Sequence, residues 1–277
     1  MLATLNYVLG IAKEKQIAVG SFNCPNMSTA LAVIGAAEEL GVPVVIMHAQ
    51  LHEDEWHISK MKQMCPLMRT LAEQASVPVC VHLDHGTSVD YVKRGLAMGF
   101  TSVMYDGSNL HEEENTKNTI EVVKEAKLFG ASVEAEIGTM GTREGGNSGA
   151  KSIYTIPSAA KRFAEATGID ALACAFGTAH GFYATAPKLD FDRLSEINSL
   201  VDIPLVMHGG SGVSNNDYRE VISRGVRKIN YYTYMAKAGA AAVSGKQYTQ
   251  FHDALTDGEN AMKENVKNAI RIFSEIM

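Results

Sequence analysis

The sequence predicts an α/β protein of one domain, a (β/α)8 TIM barrel spanning residues 1–277, on three observations. Eight short apolar, β-branched runs alternate with longer helical patterns almost without interruption. The runs are apolar throughout, as parallel strands buried on both faces are. No linker, low-complexity tract or composition shift divides the chain. A doubly wound sheet, the alternative, more often stops at roughly five to seven strands.

The strands are AVGSFN (18–23), PVVIMHA (43–49), PVCVHLD (78–84) and SVMYDG (102–107), followed by SVEAEIG (132–138), ALACAFG (171–177), PLVMHGG (204–210) and KINYYT (228–233). Between them, MSTALAVIGAAEELG carries Ala and Leu at helical spacing and a glycine stop. SVDYVKRGLAMG, ENTKNTIEVVKEAKLFG and SNNDYREVISRG each open on a capping residue and close on glycine. The stretch 139–155, TMGTREGGNSGAKSIYT, has four glycines and no period, which predicts a mobile loop after the fifth strand. Residues 234–277 are helical and polar enough to cover the barrel or to serve a dimer contact.

With 46% apolar residues the chain has ample material for a core. No run approaches the roughly 18 apolar residues of a membrane span, and the N-terminus lacks the logic of a signal-peptide cleavage site. A cytoplasmic location is the expectation. A net charge of −6 argues against non-specific nucleic-acid binding. The four cysteines form no CxxC pair and read as reduced structural thiols.

Three histidines stand at the C-terminal ends of apolar runs: His85, His180 and His208. Active sites of such barrels lie at that face, and three imidazoles there form an open metal site with a position left for substrate. Asp84 precedes His85 and shares the strand end; a carboxylate capping the next helix, beside a histidine bonded to backbone, is the bland alternative. His82 reads as a structural barrel histidine. Glu134 and Glu136 lie on one face of a buried strand, and Asp106 is a third acidic group at a strand end. Buried carboxylates are costly unless paired or bound to a cation. These three hold a second cation, orient the histidines or form plain ion pairs. GGSG (209–212) and NYYT (230–233) follow the seventh and eighth strands, the customary phosphate site of this fold.

SFNCPN, VHLDHG, VEAEIG, AFGTAHG, LVMHGGSG and KINYYT resemble, in order and spacing, the motifs of class II, metal-dependent ketose-bisphosphate aldolases of the fructose- and tagatose-bisphosphate type. The resemblance runs from about residue 18 to 236. It implies zinc on His85, His180 and His208. Asp84 resembles the general acid/base at the oxygen of the cleaved bond. Glu144 matches the glutamate that moves the proton of the dihydroxyacetone phosphate hydroxymethyl carbon. Asp106 and Glu136 look like a second site for a divalent or monovalent cation. Gly181, Gly209, Gly210, Ser211, Asn230 and Thr233 resemble the dihydroxyacetone phosphate contacts, with Asn23 and Tyr232 among the substrate-facing positions. The implied reaction cleaves or forms a phosphorylated ketose, with dihydroxyacetone phosphate as one half and an aldehyde as the other, in a homodimer or homotetramer. No Schiff-base lysine is needed, and the nearest, Lys228, is expected at a strand start.

Three places depart from the family pattern. Tyr232 stands where Asp or Asn is usual, and Met47 and Ala49 stand where Gln and Ser are common. The lid carries Thr142 and Arg143 where Gly and a neutral or acidic residue are common. The metal and acid/base set is kept while the substrate-facing set is changed, so the usual glycolytic bisphosphate is not the expected substrate. A metal-dependent sugar-phosphate epimerase or isomerase would use the same enediolate chemistry. A non-catalytic sugar-phosphate-binding barrel would not need both Asp84 and Glu144.

Overall fold

A computed structural model describes residues 1–138, 141–142, 154–181, 183 and 186–275. Eight strands form the barrel: β1 (Val19–Asn23), β2 (Val44–Ala49), β3 (Val79–Gly86), β4 (Ser102–Tyr105), β5 (Ser132–Ile137), β6 (Ala171–Cys174), β7 (Leu205–Met207) and β8 (Val226–Tyr231). Each pairs in parallel with its neighbour in sequence. The ring closes where Lys228–Tyr231 of β8 lie beside Val19–Phe22 of β1. Closure leaves no barrel edge unpaired.

Helices α1 (Leu5–Lys15), α2 (Met27–Leu40), the single turn α3 (Leu51–Asp54), α4 (Met61–Gln74), α5 (Val89–Met98) and α6 (Glu112–Phe129) come from the first half of the chain. The second half contributes α7 (Pro157–Thr167), α8 (Phe191–Leu200), α9 (Asn215–Ser223), α10 (Thr233–Val243) and α11 (Phe251–Phe273). Asn26 and Thr29 form a reciprocal capping box at the start of α2, and Gly41 ends it in the left-handed region. Helix α6 starts at Glu112, two residues before the predicted ENTK. Glu112, Glu113 and Glu114 all favour the positive end of the helix dipole. Strand β8 begins and ends two residues earlier than KINYYT, because Thr233 is already the first residue of α10. Among the described residues no helix is long and apolar enough to cross a membrane.

Strand alternation sorts the buried side chains into two bodies. Ile46, Val81, Leu83 and Val103 point outward and pack beneath the helices. Val45, Met47, Cys80, Ala173 and Val206 point inward and meet Leu5, Val8, Leu9 and Ala12 of α1. Helix α1 therefore plugs the N-terminal end of the barrel with fully buried aliphatics, each large one worth roughly 1.5–3 kcal/mol. The upper layers of the interior, toward the C-terminal mouth, are polar, with His82, Asp84, Glu134, Glu136 and His208 buried there. The four cysteines are free and buried. Burial pushes the Cys24, Cys65 and Cys80 thiols up to about 12, which makes them inert.

Candidate active site

Asp84 and His85 both reach the mouth because β3 breaks its own alternation. Cys80, His82 and Asp84 face inward in turn, so His85 would point outward on a regular strand. Its backbone is instead left-handed, φ 50°, and the register with β4 slips between Leu83 and Gly86. A non-glycine residue there costs about 1–2 kcal/mol and turns His85 back over the barrel. Gly86 follows because a Cβ would stand 2.5 Å from Val92 Cγ2.

His180 and His208 arrive from β6 and β7. His208 is the residue after Met207, the last of β7. His180 closes a two-residue strand, Ala179–His180, that pairs with Gly141–Thr142. One ring nitrogen from each of His85, His180 and His208 lies within 4.8 Å of the others. His85 Nε2 and His208 Nδ1 face each other at 3.0 Å. Their remaining nitrogens are taken: His85 Nδ1 by Asp106 Oδ2 at 2.7 Å, and His208 Nε2 by Glu134 Oε1 at 2.8 Å. A carboxylate behind an imidazole fixes its tautomer and turns the free nitrogen toward a metal. Asp106 and Glu134 both stand in that position.

Beneath the histidines lies a closed ionic network. Lys228 Nζ sits 2.9 Å from Glu134 Oε2, both side chains being fully buried. Lys228 also donates to Asn230 Oδ1 at 2.7 Å. Lys228 is not at a strand start: β8 begins at Val226, which turns the lysine into the interior. His82 bonds Ser102 Oγ at 2.8 Å and serves the barrel wall. Asp84 accepts from Asn23 Nδ2 at 3.0 Å and from Asn230 Nδ2 at 3.4 Å.

Burial opposes ionisation of Asp84, but His85, His208 and Lys228 outweigh it and hold the carboxyl well below its usual range. Burial likewise disfavours the charged form of His85, yet Asp84, Asp106 and Glu136 push it up to about 10. Glu136 moves the opposite way. Burial, reinforced by Asp106, raises it well above an ordinary carboxyl, and its buried Oε2 has no hydrogen-bond partner. His85, Asp106 and Glu136 offer a second set of ligand atoms within 4.8 Å of one another. Three buried carboxyl groups, Asp84, Glu134 and Glu136, and the half-buried Asp106 thus surround three imidazoles, with Lys228 as the ammonium partner of Glu134. The donor set fits a divalent cation, and the orphaned Glu136 oxygen is the strongest sign of it.

These groups open into a cavity of about 590 Å³. Asn23, Gly181, Gly209, Ser211, Asn230, Tyr232 and Thr233 all line it, as do Asp84, His85, His180, Asp106 and Glu136. Gly210 lies in the turn beneath, its N–H donated to Asn230 O at 3.0 Å. Gly209 has φ 62°, and a Cβ there would stand 2.4 Å from Ala179 O. Met47 belongs to the α1 plug rather than to the cavity wall, and Ala49 is level with Asp84. Glu144, with Arg143 and most of 139–155, lies outside the described residues.

Two features escape a linear reading of the chain. Glu134 and Lys228 meet only across the barrel. The other is an aromatic wall: Trp56 lies 5.3 Å from His52 and 5.8 Å from Tyr232 between ring centroids. His52 and Trp56 lie four residues apart across the α3 turn, but only the fold brings Tyr232 beside them.

A family model described as fructose-bisphosphate aldolase class-II matches residues 3–276. The crystal structure of the YdjI aldolase from Escherichia coli K12 is similar, with 34% identity and a TM-score of 0.88 over 99% of this chain and 97% of that one. A putative fructose-1,6-bisphosphate aldolase from Coccidioides immitis is 28% identical, with a TM-score of 0.86 over 99% of this chain and 98% of that one. Fructose-bisphosphate aldolase from Campylobacter jejuni, 23% identical over 98% of this chain and 95% of that one, shares the fold with a TM-score of 0.81. With the barrel closed and the histidines and carboxylates gathered at its C-terminal mouth, the chain belongs to the class II fructose-bisphosphate aldolase family and is an aldolase, a carbon–carbon lyase.

Proposed function

We propose that this aldolase cleaves and forms a phosphorylated ketose, with dihydroxyacetone phosphate as the ketone half and an aldehyde as the other, and that His85, His180 and His208 hold a catalytic zinc. The single observation that carries the reading is the convergence of three imidazole nitrogens, two of them backed by Asp106 and Glu134. Zinc, when bound, supplies a Lewis acid for the negative charge that develops on the ketose carbonyl oxygen.

The protein's own groups do the rest. Asp84 is ionised and clamped by two amides, Asn23 and Asn230, so it is poised to accept the C4 hydroxyl proton as the C3–C4 bond breaks. A second, differently placed acid must return a proton to the hydroxymethyl carbon, and Glu144 is assigned that part. In the sequence it follows by two residues Thr142, whose backbone pairs with His180. Gly181, Gly209, Ser211 and Thr233 line the end of the cavity where the N-terminus of α10 meets the β7 turn, a suitable seat for the phosphate. Gly210 supports that turn, and Asn230 ties the seat to Asp84. Asp106 and Glu136 would share a second cation with His85.

The test is release of triose phosphate from a panel of ketose phosphates, read with a coupled reductase. Cleavage of at least one member is expected. Conversion of ketoses to their epimers with no triose phosphate would replace the aldolase reading by the epimerase one.

A further inference from the structure

Once the phosphate has the β7 turn and the reacting carbons have Asp84 and the histidines, the rest of the cavity lining must face the aldehyde half. That lining comes from residues 50–52 and 54–56, with Thr87, Ser108 and Asn109. Its character is uniform. Trp56, His52 and Tyr232 form a continuous aromatic wall, with His52 and Tyr232 centroids 6.3 Å apart and Trp56 inclined 32° to each. Beside it stand the Asp54 and Glu55 carboxylates. Gln50 is fixed between Asp54, to which it donates at 2.7 Å, and the Thr87 N–H, from which it accepts at 2.9 Å. Among the described lining residues there is no lysine or arginine. Burial pushes His52 down to about 4, so its ring adds no positive charge near neutrality.

We infer that the aldehyde half carries no phosphate: the substrate is a ketose 1-phosphate whose neutral, polyhydroxylated tail lies on Trp56. The inference rests on the aldolase reading above. A second phosphate, a dianion, would meet Asp54 and Glu55 as like charges. A hydroxylated chain instead finds carboxylate and amide oxygens to accept its hydrogen bonds. Its apolar C–H ridge finds the flat faces of indole and phenol, which take up such surface with little entropy loss. Tyr232 therefore exchanges a polar contact for a stacking one, and Trp56 is the specificity-determining residue opposite it.

Trp56 is the only tryptophan in the chain, so its fluorescence reports on this wall alone. The experiment compares hexulose and heptulose 1-phosphates with their terminally phosphorylated counterparts, measuring triose phosphate release by the zinc-loaded protein. The 1-phosphates should be cleaved with a kcat/KM at least about tenfold higher. Their binding should quench the Trp56 emission. Trp56→Ala should raise KM for the 1-phosphate about tenfold, with Trp56→Phe restoring most of it, as loss of one stacking contact predicts. Glu55→Lys should move the preference toward the bisphosphates. Better cleavage of the bisphosphates by the unmodified protein would overturn this inference and leave the aldolase intact. An unchanged KM in Trp56→Ala would overturn the platform. Triose phosphate from none of the sugars would overturn the aldolase reading and this inference with it.

Discussion

Lys228→Met separates the stability of the barrel interior from the working of the site. The Lys228 ammonium and the Glu134 carboxylate are 2.9 Å apart and wholly buried, and Lys228 also bonds Asn230. Methionine fills a similar length of the interior but leaves Glu134 Oε2 without its charged partner. Removing one member of a buried ion pair costs about 3–5 kcal/mol, because the charge left behind is uncompensated. The lost bond to Asn230 places the expected cost in the upper half of that range. Lys228→Met with Glu134→Gln removes both charges while glutamine can still accept from His208 Nε2. The double variant should recover most of the lost stability. Its zinc affinity should nevertheless stay about 10–100-fold below that of the unmodified protein, because His208 loses its carboxylate. Denaturant midpoints measured with chelator present read the first quantity, provided the slope is unchanged. Competition with a chromophoric chelator reads the second. A cost below about 1 kcal/mol for Lys228→Met, or a double variant as unstable as the sum of the singles, would refute the reasoning.

Asp84→Ala should lower triose phosphate release by about 10²–10⁴-fold while zinc stoichiometry stays unchanged; loss of metal and fold together would make Asp84 structural. His48 is wholly buried with neither ring nitrogen hydrogen-bonded, and burial pushes it down to about 4. Because the unfolded chain binds that proton near 6.5, stability should be complete above pH 6.5. It should fall by about 3 kcal/mol as the pH drops toward 4, and His48→Leu should flatten the decline in thermal midpoint. Gly209→Ala forces a side chain into a left-handed backbone and against Ala179 O. It should cost about 1–2 kcal/mol from the backbone alone and raise KM for phosphorylated substrate, as calorimetry and initial rates will show.

The barrel is legible in the sequence because its signals are local. Eight apolar runs, the capping residue Ser88 and the stops Gly41 and Gly99 each act within a few residues of themselves. The strand-end histidines are legible for the same reason, since the C-terminal end of any barrel strand points to one mouth. What escapes depends on register. The left-handed turn of His85 follows from a slip between β3 and β4, which no pattern within β3 announces. Lys228 reads as a strand start until β8 is seen to begin at Val226, after which it must face Glu134 across the barrel. Met47 looks like a pocket residue by position in its strand, yet it sits low enough to meet α1. The aromatic wall combines α3 with the residue before α10, elements some 180 residues apart that share only the rim.

In the proposed function, three strand-end histidines hold the metal on which carbon–carbon cleavage depends. Its most direct test is triose phosphate release by protein stripped with chelator and then titrated with zinc. Activity should vanish with the metal and return in proportion to zinc, saturating at about one ion per chain, the stoichiometry of a three-histidine catalytic site. Cleavage that persists after complete removal of metal would contradict it.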